Sequence, residues 1–329
     1  MKKIILIHLG GTISAQGNDR LDLKDYQSGK LSGKDFMNSL PEINDIAHVD
    51  MYQFDGVSST NISHMHWKKL KTLSESYLND KHYDGVVITH GTSTLEETAF
   101  FLHLTVNSEK PVVLVGAQRP FTALSSDGPL NLIQAIRVAT NPMSHGQGVL
   151  VVNNDRIYSA RDVTKTDTYR LDTFQSTDLG CLGYIETDNT IQYYRKPLRK
   201  HTTHSVLTDV SLENLPNVEI VYSYAGATGQ LIDMITTSKN FHGIIIAGTG
   251  AGRFSSLEEE AISHAIQAGL FIVRSSRGGN GRVVDIDAFN HLDNISGDNL
   301  TPQKARILLM LTLLIYDSVQ DIQKAFSEY

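Results

Sequence analysis

Two hydroxyl-bearing turns follow apolar stretches of this chain, and together they indicate a site for nucleophilic chemistry. The run 4–9 ends in Gly10 and Gly11, so Thr12 comes directly after a tight turn. The run 85–89 ends in the same way, since Gly91 precedes Thr92. Because open α/β sheets bind their ligands at the carboxyl ends of strands, both threonine hydroxyls are expected at such a site.

A threonine hydroxyl needs a chemical partner before it can attack. It is a weak nucleophile unless a base takes its proton or a positive charge stabilises its alkoxide. Lys165 lies in the segment 159–166, where hydroxyl residues surround it and Val163 is the main apolar side chain. Lysines are usually exposed, but a partly buried lysine changes its pKa readily. Lys165 is therefore the candidate proton carrier.

The elements that must position these residues alternate along the first half of the chain. Apolar runs predict strands at Lys3–Leu9, His48–Phe54, Gly85–Thr89, Val112–Gly116 and Gly148–Val152. Helices are predicted between them at Ser32–Leu40, Met65–Asn79, Leu95–Leu104 and Pro129–Ala139. This order predicts an α/β fold whose mostly parallel sheet carries helices on both faces. Residues 158–194 differ and predict short β pieces.

A smaller α/β domain is predicted at the carboxyl end. Its strands are expected at Val218–Tyr222, Gly243–Ala247 and Leu270–Val273, and its helices at Gln230–Thr237, Leu257–Ala268 and Pro302–Tyr316. The basic, proline-containing stretch between the two sets lacks an apolar period. We therefore predict an N-terminal domain at 1–194 that carries the threonines, a linker at 195–216 and a C-terminal domain at 217–329.

Composition excludes several classes of function. The 329 residues carry a net charge of −7, so the chain has no general cationic field for a nucleic acid. No segment is long and apolar enough to span a membrane, and the apolar run after Met1 is too short for a signal peptide. The lone cysteine, Cys181, forms no internal disulfide and fits a reducing compartment. We expect a cytoplasmic protein.

The glycine and histidine clusters predict no cofactor. The turn at Gly10 lacks the spacing of a dinucleotide-binding loop, and the cluster Gly248–Gly252 lacks the Lys-Ser/Thr pair of a phosphate loop. The pairs His64/His66 and His201/His204 have no Cys or carboxylate at ligand spacing, so packing or surface roles are expected. We predict neither a metal nor an organic cofactor.

Several motifs together resemble those of the bacterial L-asparaginases, a homotetrameric family with paired catalytic threonines. The resemblance runs in order from Ile4 to Tyr329. Its first two motifs are Leu9-Gly10-Gly11-Thr12-Ile13 and His90-Gly91-Thr92-Ser93-Thr94. Further matches are at residues 115–120, 126–132, 161–166, 273–277 and 302–306.

The resemblance implies a role for each matching residue. Thr12 would attack a side-chain amide and form an acyl-enzyme, with Tyr26 closing over it from a mobile lid at residues 15–29. Thr92 and Lys165 would form a second hydroxyl–amine pair that orients water and transfers protons. The substrate-binding residues implied are Gly11, Ser59, Thr60, Gly91, Ser93 and Ala117. The backbone at Gly11, Gly91 and Ala117 would line the site near the developing oxyanion.

Three departures converge on the substrate's α-ammonium. Ser93 replaces the family's aspartate, and Gly226 stands where the neighbouring subunit contributes an asparagine. The segment 278–292 is shorter than expected and offers Asp285 or Asp287 for the neighbour's glutamate. A fourth difference, Leu9 for the first motif threonine, is interpreted as structural.

The resemblance implies an amidohydrolase that cleaves L-asparagine to L-aspartate and ammonia, in a homotetramer with sites at subunit interfaces. Ser93 leaves an alternative open: a substrate without a free α-amino group, such as a succinamate-like amide or an N-acylated asparagine. A non-catalytic amino-acid-binding protein on the same fold is the other alternative. The partner expected in each case is a small molecule.

Overall fold

Residues 1–27, 31–54 and 56–329 are described by the computed structural model. The chain divides into two units, Met1–Thr208 and Asp209–Tyr329. Gly29, within the expected lid, lies outside the described residues. The predicted boundaries of the linker, 195 and 216, stay predictions.

The first unit is built on a sheet of eight strands within the described part of the chain. The strands of this unit are β1 (Lys3–His8), β2 (Gln16–Gly17), β3 (Tyr26–Gln27), β4 (His48–Gln53), β5 (Gly85–Thr89), β6 (Val112–Val115), β7 (Val149–Asn153), β8 (Arg156–Ser159), β9 (Thr164–Lys165), β10 (Phe174–Gln175), β11 (Gly183–Ile185) and β12 (Ile191–Tyr193). The sheet order is β12-β11-β8-β7-β6-β5-β1-β4. Strands β4 to β7 and β1 run parallel, whereas β8, β11 and β12 add antiparallel pairs. The predicted α/β class is confirmed.

Strand β1 lies at the switch point of this sheet. From β1 the chain passes to β4 on one side and then to β5 on the other. Ligands of open α/β sheets bind in the crevice at such a point, outside the carboxyl ends of the strands. The register pairs His8 with Thr89, so the two hydroxyl-bearing turns leave the sheet side by side.

Helices cover both faces of the sheet. The helices of the first unit are α1 (Gly33–Asn38), α2 (His64–Glu75), α3 (Leu95–Thr105) and α4 (Gly128–Thr140). Helix α4 packs on β5, β6 and β7, and its core includes Leu6, Val87, Val113 and Leu132. Alternate residues of the strands face the other side, where α3 packs against β6 and β7. Helix α2 was predicted to reach Asn79, but it ends at Glu75 and a wider turn, Ser76–Asp80, follows.

His201 packs on the first unit as a buried side chain. Its ring lies 4.9 Å from the ring of His103 in α3, and it is 5% exposed. A short 3-10 turn at Thr202–His204 follows it. This contact with His103 fits the packing role expected for His201.

The second unit, all of whose residues are described, has its own four-stranded parallel sheet in the order β13-β14-β15-β16. Its elements are β13 (Val218–Tyr222), α5 (Gln230–Ser238), β14 (Gly243–Gly248), α6 (Ser256–Gln267), β15 (Phe271–Ser276), β16 (Asn294–Ser296), α7 (Pro302–Thr312) and α8 (Val319–Glu328). Helices α5 and α6 share a core with β14, centred on Ile232, Ile244 and Ile262. Helix α7 was predicted to extend to Tyr316, but it ends at Thr312, and strand β16 and helix α8 were not predicted.

Candidate active site

A cavity of about 230 Å³ lies at the ends of β1 and β5. Its lining includes eight of the ten residues predicted for the site: Gly11, Thr12, Tyr26, Ser59, Gly91, Thr92, Ser93 and Lys165. Four further residues line it that were not predicted as site residues: Ser58, Gln118, Thr168 and Tyr169. Ligand cavities for drug-sized molecules start at about 300 Å³, so this one suits a small, polar ligand.

Thr12 and Tyr26 meet on one side of the cavity. Their hydroxyl oxygens lie 3.1 Å apart. Gly10 and Gly11 have φ of 96° and 92°, a region that glycine enters without steric cost, and this turn leads into Thr12. Tyr26 belongs to the two-residue strand β3, which pairs with β2. The amide of Gly17 in β2 donates to Thr122 Oγ1 over 2.9 Å, which ties this hairpin to the body of the unit.

Thr92 and Lys165 meet on the other side. Lys165 Nζ donates to Thr92 Oγ1 over 2.7 Å, although the two residues are 73 positions apart. Strand β9, which carries Lys165, pairs with β10 over two residues only. The backbone N–H of Lys165 also donates to the carboxylate of Glu96 over 2.5 Å. The sequence pattern did not reveal Glu96, because an acidic residue in the first turn of a helix is common for helix stability alone.

The charge of Lys165 is sensitive to its surroundings. Burial lowers the pKa of its ammonium, and the carboxylates of Asp167 and Glu96 act in the opposite direction. A lysine with a lowered pKa that contacts a hydroxyl in a cavity can exchange protons with that hydroxyl.

The turn at Gly91 is held by a chain of hydrogen bonds behind it. Trp67 Nε1 donates to Thr98 Oγ1 over 2.9 Å, and Thr98 Oγ1 lies 3.0 Å from His90 Nε2. Because a carbonyl oxygen only accepts, His90 Nδ1 donates to the Gly91 carbonyl over 2.7 Å, and in the neutral ring Nε2 then accepts the Thr98 proton. Complete burial lowers the pKa of His90 to about 4, so this ring is neutral at pH 7. The neutral ring fixes the orientation of the Gly91 peptide.

A carboxylate outside the cavity positions Gln118. The carboxylate of Asp127 accepts the backbone N–H of Gln118 and that of Arg119, each over 2.9 Å. Asn131 donates to the Gly116 carbonyl over 3.1 Å and to Asp127 over 3.2 Å. Asp127 and Asn131, both in the motif at residues 126–132, therefore fix the backbone of residues 116–119, which includes the cavity residue Gln118.

Two predicted site residues lie outside the lining of this cavity. Ala117 is 1% exposed, and its neighbour Gln118 reaches the cavity instead. Thr60 is exposed and its hydroxyl lies 2.9 Å from that of Ser58. Ser59, between them, is buried, and its carbonyl accepts from Thr94 Oγ1 over 2.6 Å. This contact joins the loop at Ser59 to the second hydroxyl-bearing turn.

A second cavity, of about 850 Å³, adjoins the first and shares Gln118 and Tyr169 with it. Its other lining residues are Asp19, Leu21, Asp22, Leu23, Lys24, Asp25 and Arg119.

Within the described ranges, no three His, Cys, Asp or Glu side chains are grouped to hold a metal ion. Across the same ranges, none of the helices has the length and apolar content needed to cross a bilayer.

Comparisons with known proteins cover almost the whole chain. The family model described as "Asparaginase, N-terminal" matches residues 3–199, and the "Glutaminase/Asparaginase C-terminal domain" model matches residues 217–326. The chain is 41% identical to "L-asparaginase 2" of Bacillus subtilis, over all of this chain and 87% of that protein. It is 40% identical to "L-asparaginase 2" of Escherichia coli, over all of this chain and 94% of that protein.

A solved structure agrees with these matches. The structure described as a probable cytoplasmic L-asparaginase from Campylobacter jejuni superposes with a TM-score of 0.95 at 37% identity, and the match covers 100% of both chains.

Proposed function

The chain belongs to the asparaginase family, and on that premise we propose that it hydrolyses the side-chain amide of L-asparagine to L-aspartate and ammonia. The observation that carries this proposal is the pairing of Thr92 with a half-buried Lys165 in the cavity that also holds Thr12 and Tyr26. The relatives named L-asparaginase match the chain over its full length, which supports the same reaction.

In the first half of the proposed reaction, Thr12 Oγ1 attacks the amide carbon. A bond forms between Thr12 Oγ1 and the amide carbon. The π electrons of the carbonyl move to the carbonyl oxygen, which becomes an oxyanion. Gly11 and Gly91 line the cavity, and their backbone is proposed to stabilise this charge. The hydroxyl of Tyr26, 3.1 Å from Thr12, is placed to hold the nucleophile and pass its proton. The C–N bond then breaks, and the nitrogen leaves as ammonia after gaining that proton.

In the second half, water hydrolyses the ester on Thr12. Thr92 and Lys165 are the pair proposed to orient this water and take its proton, because a lowered pKa increases the fraction of Lys165 that is a neutral amine and can accept a proton. The bond between carbon and Thr12 Oγ1 breaks, the threonine regains its proton, and aspartate leaves.

The comparisons do not favour the alternative substrates or the non-catalytic binding protein. A succinamate-like amide or an N-acylated asparagine was considered because Ser93 lines the cavity in place of a carboxylate. A non-catalytic binding protein would have no need of a paired hydroxyl and amine. The full-length relatives are named for asparagine, and we retain asparagine as the substrate.

One substrate screen tests the function. Ammonia release would be measured with L-asparagine, L-glutamine, D-asparagine, succinamate and N-acetylasparagine, each against a Thr12→Ala blank. We expect release from L-asparagine that the blank lacks. Release from succinamate or N-acetylasparagine alone would replace the proposed substrate, and release from none would support a binding protein.

We also propose a homotetramer whose sites are completed by a neighbouring subunit, and a cytoplasmic location. The segment 222–228 is the proposed contributor, and its Tyr222 and Tyr224 are 57% and 59% exposed. A name that includes "cytoplasmic" on the similar Campylobacter structure supports the location. Light scattering at assay concentration would give four chains of 36.4 kDa if the assembly is right. A fully active species of one chain would contradict it.

A further inference from the structure

Lys165 is attached to the segment after β5 at two points. Its side chain donates to Thr92, over 2.7 Å, and its backbone N–H donates to Glu96, over 2.5 Å. Glu96 is 5% exposed and lies in the first turn of α3, four residues after Thr92. One short segment therefore holds both the amine and the main chain of the same lysine.

The contact with Glu96 gives Lys165 a support that its own strand cannot provide. Strand β9 is two residues long and pairs with a partner of the same length. Helix α3, in contrast, is buried at every residue except Glu97. A carboxylate that accepts a backbone N–H forms a strong, charge-assisted hydrogen bond. The fixed helix thus sets the position of the main chain from which the Lys165 side chain extends.

A general role in helix stability does not explain this contact. Acidic side chains in a first turn stabilise a helix through its dipole, and both Glu96 and Glu97 meet that need. Such a role requires no contact with a residue 69 positions away. Glu97, in the same turn, therefore offers a matched control for the helix effect.

The groups around Lys165 define what a change at Glu96 would do. Among the described residues that line the 230 Å³ cavity, Lys165 is the one with a charged side chain, and Tyr26 and Tyr169 are its titratable neighbours there. The carboxylates that act on it are those of Glu96, from α3, and Asp167, from its own loop. Asp167 also accepts the N–H groups of Tyr169 and Arg170, each over 2.9 Å.

We propose that Glu96 is a positioning residue for the hydrolysis: its carboxylate fixes the main chain of Lys165 so that the amine reaches Thr92. This inference rests on the proposed function of the Thr92–Lys165 pair. Glu96 does not line the cavity and acts on the substrate only through the lysine.

Three variants separate this role from a structural one. Glu96→Ala removes both the acceptor and the charge, Glu96→Gln keeps an acceptor oxygen without the charge, and Glu97→Gln changes the neighbouring carboxylate. With Glu96→Ala, kcat is expected to fall by roughly 10- to 100-fold at an almost unchanged KM, because a small displacement of a catalytic group has effects of this size. Glu96→Gln is expected to keep kcat within about threefold of the parent value. Glu97→Gln is expected to have the same kcat as the parent.

The pH profile supplies a readout that misfolding would not imitate. Loss of the Glu96 charge disfavours the ammonium form of Lys165, so the rising limb of kcat with pH is expected to move to lower pH in Glu96→Gln. The same shift is expected in the labelling of Lys165 by trace acetic anhydride, measured by mass spectrometry across a pH series. If Glu96→Ala does not fold, the shift in Glu96→Gln still tests the contact between Glu96 and Lys165 from which the inference is drawn.

The labelling experiment needs no turnover and so separates two failures. An unchanged kcat in Glu96→Ala, or an unchanged labelling curve in Glu96→Gln, would overturn the role of Glu96. Equal losses in the Glu96 variants and Glu97→Gln would also overturn it, since a helix effect would then suffice. If the parent protein releases no ammonia, but the labelling curve of Lys165 still shifts between the parent and Glu96→Gln, the proposed function is removed and the contact of Glu96 with Lys165 is supported.

Discussion

Gly11 and Gly91, one from each hydroxyl-bearing turn, are in backbone contact. A Cβ added to Gly11 would lie 2.6 Å from both the Cα and the N of Gly91. A Cβ on Gly91 would in turn lie 2.7 Å from Ser59 Oγ. Three loops therefore approach as closely as glycine allows, and this closeness brings Thr12 and Thr92 to one cavity.

Gly11→Ala is expected to destabilise the protein and to abolish turnover. The substitution meets a positive φ of 92° and the Gly91 backbone at once. Gly269→Ala is the matched control, because Gly269 has φ of 89° and no described atom lies within 4 Å of its added Cβ. Overpacking costs about 1–3 kcal/mol, so Gly11→Ala should lose that much more stability than the control in thermal unfolding. Equal unfolding midpoints would contradict the close contact.

Thr12→Ala and Thr92→Val are each expected to abolish ammonia release while the fold is kept. Thr12→Ala removes the proposed covalent nucleophile, a loss that costs on the order of 10⁴-fold or more in kcat. Thr92→Val removes the hydroxyl that Lys165 Nζ contacts. Thr12→Ser, which keeps a hydroxyl, should retain more activity than Thr12→Ala, and circular dichroism should show the same fold in all. Release by Thr12→Ala within about tenfold of the parent would exclude Thr12 as the nucleophile.

Ser93→Asp is expected to lower KM for L-asparagine. Ser93 is exposed in the cavity, where a carboxylate would pair with the substrate ammonium. Loss of one member of a buried charge pair costs about 2–5 kcal/mol, so a high KM is expected in the parent. The contact binds ground and transition states alike, so kcat should change less than KM. Ser93→Asn controls for size, and a micromolar KM in the parent would show that other groups bind the ammonium.

Stability is expected to fall between pH 6.5 and about 4, partly through His201. Burial lowers the pKa of His201 from 6.5 to about 4, and His204 adds to the effect. The unfolded chain therefore binds a proton that the folded protein excludes in this window, so stability present above pH 6.5 is lost as the pH falls. Each such histidine contributes up to about 1.4 kcal/mol per pH unit.

His201→Gln should flatten this dependence, measured as the urea-unfolding free energy at several pH values in the window. His145→Gln is the control, because His145 is exposed. The comparison is between slopes rather than absolute stabilities, since loss of the ring contact with His103 lowers stability at every pH. A slope identical to that of the control would disprove the contribution of His201.

Much of the parallel sheet was predictable because its central strands β5, β6 and β7 are buried on both faces. Such strands appear in the sequence as continuous apolar runs. The ends of the predicted strands lie within one residue of the observed ends, except that β15 continues three residues further than predicted. The turn residues after β1 and β5 then indicated where a ligand would bind. Helix α8 also had a signal that was missed, since its buried residues Ile322, Ala325 and Phe326 have helical spacing.

The partners of the two threonines were predictable to different degrees. Lys165 stood out as a proton carrier because hydroxyl residues surround it, but the family resemblance supplied its pairing with Thr92. Tyr26 lies on a strand of two residues, which is too short to carry a period, and its role came from the resemblance alone. The contact of Glu96 with Lys165 joins residues 69 positions apart through the main chain, which leaves no trace in residue type. Gln118 reaches the cavity because Asp127 fixes its backbone, another contact without a local signal.

The buried helix α3 gives the two sides of the cavity different dynamics. Amide protons exchange with solvent slowly where opening requires unfolding of a core element, and quickly where only a short pairing must break. The amides of α3, next to Thr92, should thus exchange near the rate of global unfolding. Those of Tyr26 and Gln27, held in a two-residue pairing, should exchange through local opening. We therefore expect solvent and small molecules to enter from the Tyr26 side, on a timescale far shorter than any motion that displaces Thr92.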